Sequence, residues 1–352
     1  MERRQELCQS LKGQRAVLPN LYCLFPDWTP KLHPEYARAR DESTDPWIKR
    51  FVRDPSICRK LQKADFTTFA AVMCAKSSFV RLCTVAEWFT WYFIWDDLFD
   101  CGSLSHDPET ITRYRYASVE YFKHVLCDEV EHPDLSEFSE ELQSALRCWD
   151  EVADHIRQVC SKRTSFLLAA MIDYAWSVDY VDSIYSEDTI PSLQQYWCRR
   201  ERTAGVHPVI ATIPFIYGFD ISGRDLDDTN MILLRKHTSY LVHIQNDMFS
   251  IRKEAKVGQF ENLVPIIMLN ENLRASQAMK VAFMLAQESA RGFYEVVDRM
   301  QQAAKGRHRA VADIFIEGCR NIVMGLTHWS YTGERYFTAG EANEDHTIHF
   351  EL

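Results

Sequence analysis

The sequence predicts an all-α protein folded as a single helical domain, and three observations carry that prediction. Only 12 glycines and 12 prolines punctuate 352 residues. Residues 60–99, 136–188 and 224–257 contain neither, and their apolar residues recur at helical spacing. Alternating period-2 runs joined by hairpin turns are hard to find. About ten helices are expected, with no internal repeat and no low-complexity segment.

Taken in order, residues 1–60 differ from the rest. Pro19, Pro26, Pro30, Pro34, Pro46 and Pro55 concentrate there. They predict an irregular arm with short helices lying on the main bundle. Residues 61–338 form the helical domain. Its most informative stretch runs Glu87-Trp88-Phe89-Thr90-Trp91-Tyr92-Phe93-Ile94-Trp95-Asp96-Asp97-Leu98-Phe99-Asp100. Such an aromatic helix buries itself, whereas a carboxylate is almost never buried unless paired or bound to a metal. The junction therefore predicts a deep apolar pocket with an anionic rim that wants a cation. Between Cys198 and Phe219, Gly205, Pro208, Pro214 and Gly218 interrupt an apolar helical pattern. They predict a kinked or broken helix. Residues 339–352 are polar and are expected to form a loose tail.

Composition narrows the function. Hydrophobic residues are 46% and charged residues 26%, a balance that builds a sizeable core. The net charge of -10 argues against nucleic acid as the main partner, because phosphate backbones need a basic face. An anionic substrate stays open, since divalent ions reverse the sign of a local field. The eleven cysteines are odd in number and form no CxxC pair, as expected of reduced intracellular thiols. No secretory h-region precedes the arm, and no apolar run is long enough to span a membrane. A cytoplasmic protein without stable membrane insertion is expected.

Four constellations carry chemistry. On a helix, Asp96 and Asp100 lie four apart and share a face. Two such oxygens suit Mg²⁺, which completes its octahedron with water and phosphate. Asn246, Ser250 and Glu254 fall at i, i+4 and i+8, one row spaced by about 6 Å per step. An amide oxygen, a hydroxyl and a carboxylate are all hard ligands, so this row is expected to form a second metal site. Arg252 and Lys253 beside it could hold an anion. Near the end of the last helix, Arg335 offers a fork for phosphate oxygens and Tyr336 a hydroxyl donor. Arg199, Arg200 and Arg202 crowd the start of the broken helix, where exposed backbone groups could respond to a ligand. No GxGxxG, P-loop, HExxH or GxSxG motif occurs.

In this order and spacing, the constellations resemble the class I terpene synthases, the sesquiterpene cyclases of the fungal and bacterial type. Asp96-Asp97-Leu98-Phe99-Asp100 looks like their aspartate-rich motif, and Asn246, Ser250 and Glu254, with Lys253, match their second metal motif. Arg335-Tyr336 looks like their C-terminal diphosphate-binding pair. Arg200, 46 residues before Asn246, stands at the family's place for a diphosphate-sensing arginine, with Arg199 and Arg202 as neighbouring registers. Tyr92, Phe93 and Trp329 match aromatic pocket positions. Asp27-Trp28-Thr29-Pro30 and His33-Pro34 look like the opening of the fungal subgroup. One departure from the family pattern is Ala204, next to the sensor, at a position where relatives also vary. The resemblance covers about residues 60 to 340.

The resemblance implies a single-domain helical bundle around a deep apolar pocket and a prenyl diphosphate substrate, with farnesyl diphosphate ahead of geranyl and geranylgeranyl diphosphates. Three Mg²⁺ ions are implied. Asp96 and Asp100 would hold two and the Asn246 row the third, with Asp97 hydrogen-bonding behind them. Arg200, Lys253, Arg335 and Tyr336 would take the diphosphate. Aromatic faces at Tyr92, Phe93 and Trp329 would stabilise a carbocation by about 0.5–2 kcal/mol each without attacking it. A chain-elongating prenyltransferase and a non-enzymatic helical binding protein are the alternatives. The chain would act as a monomer or homodimer.

Overall fold

The computed structural model describes residues 2–100, 104, 107–127, 131–159, 165–178, 191–219, 221–338 and 340–352. Among these, seven α-helices and one strand come first. They are α1 (Glu2–Leu11), β1 (Arg15–Leu18), α2 (Tyr36–Ala39), α3 (Asp45–Phe51), α4 (Pro55–Ala64), α5 (Phe66–Met73), α6 (Phe79–Asp100) and α7 (Pro108–Cys127). Then come α8 (Glu140–Arg147), α9 (Trp149–Val159), α10 (Ser165–Ser177), α11 (Leu193–Thr203), α12 (Val206–Ala211), α13 (Ile213–Tyr217) and α14 (Gly223–Leu226). The chain closes with α15 (Thr229–Val257), α16 (Leu263–Asn270), α17 (Ala275–Ala303), α18 (Gly306–Thr332) and β2 (Ile348–Glu351). The fold is all-α, as expected; the long helices α6 and α15 lie in stretches free of glycine and proline, whereas α17 and α18 carry glycines within them.

Two compact units make up the chain. The first comprises Met1–Thr29, Ser183–Val206 and Asp227–Leu352. Here α15 packs along α17 and α18, and α16 packs on α17. Asp228 starts α15 by accepting from the Asn230 and Met231 amides, and Gly258 ends it with φ of 71°. That left-handed C-cap favours glycine. At Gly292 of α17 a Cβ would run into the His237 ring of α15, so the two helices meet where a side chain is missing. Trp28 Nε1 donates to Asn321 Oδ1 (3.1 Å), and Tyr294 donates to Asp27, which fastens the chain start onto α17 and α18.

The C-terminal residues differ from the expected loose tail. Residues 348–351 form β2, antiparallel to β1 with Leu18 opposite Ile348 and Ala16 opposite Phe350. Ile348 and Phe350 are buried while His349 and Glu351 are exposed. Two apolar residues at period 2 suffice for a short strand when a partner strand is present. The N-terminal stretch is likewise divided between the units, residue 29 ending one segment and residue 30 beginning the other.

The second unit comprises Pro30–Asp182 and His207–Leu226. Its centre is α6, packed by α5 and α9, with α7 against α9 and α10. Trp88, Trp91 and Trp95 are at most 1% exposed, so α6 is apolar on nearly every side. Trp91 Nε1 donates to Ala145 O (2.6 Å), which satisfies the buried indole, and its ring meets Phe122 and Trp149 edge-on. The expected break is present: α12 and α13 are short, and Gly218 closes α13 with φ of 64°. Arg81 of α6 lies against that glycine and donates to Ile216 O (3.4 Å). Among the described residues no helix is long and apolar enough to cross a membrane.

Candidate active site

A buried polar cluster of the first unit forms on α15. Helical continuity puts Asn246, Ser250 and Glu254 in one row, as the spacing predicted. Asn262 ties the row together. As N-cap of α16 it accepts from Val264 N (2.9 Å) through Oδ1. Its Nδ2 donates to Ser250 Oγ (3.2 Å), Glu254 Oε2 (2.9 Å) and Asp247 O (2.8 Å). A hydroxyl and a carboxylate oxygen of the row thus share one amide donor.

Asp247, 1% exposed, organises the other side of the helix. Its Oδ2 accepts from Tyr196 Oη (2.6 Å) and from Leu263 N (2.6 Å), the first amide of α16. Its Oδ1 accepts from Arg200 Nε (3.1 Å) and Nη2 (2.8 Å). Arg200 Nη2 also donates to Asn246 Oδ1 (2.9 Å). Of the three candidate arginines, only Arg200 makes these contacts. Arg199 pairs with Glu261 (2.5 Å), and Arg202 is exposed. Ser192 and Gln195 form a capping box that starts α11 and so fixes the rotation that aims Arg200.

From the far end of the sequence, Tyr336 enters the same cluster. Asn246 Nδ2 donates to its hydroxyl (2.9 Å), and the ring packs near Phe249 and edge-on to Trp329 (5.7 Å). Trp329 is fully buried. Arg335 lies beside the Tyr336 ring (6.0 Å). Lys253 is exposed. Arg252 is already engaged: it donates to both carboxylate oxygens of Glu341 and to Tyr336 O.

The electrostatics follow from this crowding. Burial and the neighbouring Asp247 push the Glu254 carboxyl up to about 7, against the pull of Arg200, Asn262 and Ser250. Burial works against the Arg200 charge, but Asp247, Tyr196 and Glu254 outweigh it and raise its pKa well above the arginine range. An excess of acceptor oxygens around one arginine is a site short of positive charge. Among the described residues, no group of three His, Cys, Asp or Glu side chains is placed to hold a metal ion.

The aspartate motif lies in the second unit at the end of α6. Asp96 and Asp97 are partly exposed, and Asp96 Oδ1 accepts from Tyr174 Oη (2.6 Å). Asp100 is the last residue of α6, and its side chain lies outside the described residues. Tyr92 rests against Tyr174 (4.5 Å) one turn before Asp96. Partly exposed Phe93 stacks on Phe66 (4.2 Å) and meets Phe89 edge-on (5.4 Å). Phe89, 4% exposed, packs against Phe69 and is part of the core.

Residues 87–292 match the family model described as terpene synthase family 2, C-terminal metal binding. The chain belongs to the terpene synthase family. The matched span begins inside α6 before Asp96, passes Arg200, and contains the whole Asn246–Glu254 row. This terpene synthase is a class I terpene cyclase of a metal-using family. It is 24% identical over 330 residues to the silphinene synthase peniA of Penicillium patulum, covering 93% of this chain and 87% of the relative. It is 25% identical over 342 residues to the sesquiterpene cyclase hepA of Aspergillus oryzae, covering 95% and 92%. In fold, it resembles germacradien-4-ol synthase from Streptomyces citricolor, with a TM-score of 0.68, 19% identity, and 86% and 96% of the two chains covered.

Two residues that organise this terpene synthase site carry no role in the sequence reading. Asp247 lies between Asn246 and Ser250 of the row, one residue beyond Asn246 and about 100° around the helix, on the core side. Asn262 stands just before the apolar run Leu263-Val264-Pro265-Ile266-Ile267, an N-cap signature legible in the sequence. What the signature could not tell is that the same side chain also holds Ser250 and Glu254.

Proposed function

We propose that the protein is a sesquiterpene synthase that ionises farnesyl diphosphate and cyclises the resulting carbocation to a hydrocarbon or alcohol. One observation carries the reading: Asn246 is held at once by Arg200 from 46 residues upstream and by Tyr336 from 90 residues downstream. A fixed cation and a buried hydroxyl therefore meet the oxygen row of Ser250 and Glu254. That grouping suits a diphosphate and its counter-ions. The names of the relatives, sesquiterpene cyclase and silphinene synthase, support the fifteen-carbon substrate.

The residues present fit Mg²⁺. Asn246, Ser250 and Glu254 would hold one ion, and Asp96 and Asp100 two more, with Asp97 as a hydrogen-bonding support. When bound, the ions neutralise the charge that develops on the leaving diphosphate. Arg200, Arg335 and Tyr336 bind the diphosphate oxygens and orient them, and exposed Lys253 adds a further cation. Tyr174 holds Asp96 through its hydroxyl and so limits the carboxylate to one orientation. Tyr92, Phe93 and Trp329 present ring faces or edges without nucleophiles. Among them Phe93, partly exposed above Phe66, is the most available to a ligand.

The reading is tested by incubating the purified protein with Mg²⁺ and farnesyl diphosphate and analysing the extract by gas chromatography. A terpene hydrocarbon or alcohol is expected. Absence of any product, with geranyl and geranylgeranyl diphosphates equally inert, would sink it, and consumption of isopentenyl diphosphate would point to chain elongation instead.

A further inference from the structure

We infer that Arg252 is a positioning residue that holds the Arg335–Tyr336 segment in place by pinning the loop behind it to α15. The inference rests on the reading above, in which that pair receives diphosphate.

The guanidinium of Arg252 makes three hydrogen bonds into one short stretch. Nη1 donates to Glu341 Oε1 (2.5 Å), and Nη2 donates to Glu341 Oε2 (3.0 Å) and to Tyr336 O (3.0 Å). Its carbon lies 4.3 Å from the centroid of the Phe337 ring. Glu341 Oε2 also accepts the Thr338 amide (2.6 Å) and hydroxyl (2.9 Å). Tyr336, Phe337, Thr338 and Glu341 thus gather around a single bidentate ion pair. A forked pair of this kind fixes orientation as well as distance.

The same helix grips Tyr336 a second time. Asn246 Nδ2 donates to its hydroxyl, while Arg252 donates to its carbonyl. Asn246 and Arg252 are six residues apart, about 9 Å along the helix axis. Tyr336 is therefore fixed at its backbone and at its tip to the element that carries the metal row. Arg252 has its charge committed to Glu341 and does not need the substrate to satisfy it. Its contribution to diphosphate binding goes through the placement of Arg335 and Tyr336.

The test compares Arg252→Gln, Glu341→Gln and their double variant with Arg335→Gln. Affinity for inorganic diphosphate in excess Mg²⁺ is measured by calorimetry, alongside kcat, KM and thermal melting. Arg252→Gln is expected to weaken diphosphate binding by about 10- to 100-fold, the range seen when a supporting hydrogen-bond partner is removed. KM should rise while melting stays cooperative. Glu341→Gln should weaken binding less, since the contact to Tyr336 O survives. The double variant should be no worse than Arg252→Gln, because both changes break one pair. Wild-type affinity in Arg252→Gln, with Arg335→Gln impaired, overturns the inference alone, as do additive losses in the double variant. Unchanged affinity in Arg335→Gln overturns the assignment of the pair to diphosphate and the inference with it. If Arg252→Gln does not fold, unchanged affinity in Glu341→Gln overturns the inference and weakened affinity supports it.

Discussion

Asp247 accepts four hydrogen bonds in a space closed to water: two from Arg200, one from Tyr196 and one from the first amide of α16. Removing one partner of such a buried network leaves the others unpaired, at a cost of about 3–5 kcal/mol. Asp247→Ala is therefore expected to lower the melting temperature sharply and to abolish turnover, read by calorimetry and product assay. Arg200 would lose the carboxylate that aims it. Glu87 is a second buried carboxylate, 8% exposed on α6 and hydrogen-bonded to Ser43 Oγ (2.5 Å). Burial pushes its carboxyl up to about 7. A raised carboxyl binds its proton more tightly in the folded state, so folding is favoured below the unfolded value of 4.5 and loses that gain as pH rises through about 7. Above that range the ionised group costs about 3 kcal/mol. Glu87→Gln should then melt several degrees higher than the parent at pH 8 and nearly equal to it at pH 5. Equal differences at both pH values would refute this account.

At the scale of elements, the α15–α17 contact rests on a missing side chain. A Cβ at Gly292 would collide with the His237 ring, and a helix interior resists such overpacking. Gly292→Ala gains helix propensity but is expected to destabilise by about 1–3 kcal/mol, visible as a lower denaturant midpoint at unchanged slope. Asn262 couples an element boundary to chemistry. Its loss as N-cap costs α16 about 1 kcal/mol. It also releases Ser250 and Glu254 from their common donor, so Asn262→Ala should reduce Mg²⁺ affinity more than it reduces stability, measured by Mg²⁺ titration of activity beside a melting curve. The break around Gly205 and Gly218 and the unbroken row on α15 were both legible in sequence, because each depends on residues a few positions apart. The cap's second role was not, because it depends on how α16 folds back onto α15.

At the scale of the whole molecule, the first unit joins the two ends of the chain. β1 pairs with β2, and Phe350 packs on Phe337, next to Tyr336. Phe350→Ala is expected to cost about 3 kcal/mol and to raise KM, since the strand braces the residue behind the pair proposed to bind diphosphate. Wild-type KM and melting behaviour would show the strand to be dispensable. Turnover should vanish in chelator and return with Mg²⁺, with little change in far-ultraviolet circular dichroism, because the helices are held by packing that needs no metal.

Sequence by itself determined the helical class, the aspartates at the end of an aromatic helix, the Asn246–Ser250–Glu254 row, and the family those motifs belong to. All are local, because a period of 3.6 residues ties side chains three or four positions apart to one face. Tertiary structure alone decided which of three arginines reaches Asn246, that Arg252 is spent on Glu341, and that polar residues 339–352 end in a paired strand. Those outcomes join positions 46, 89 and more than 300 residues apart. No local period encodes such distances. They follow from which buried charges must find partners once the helices have packed.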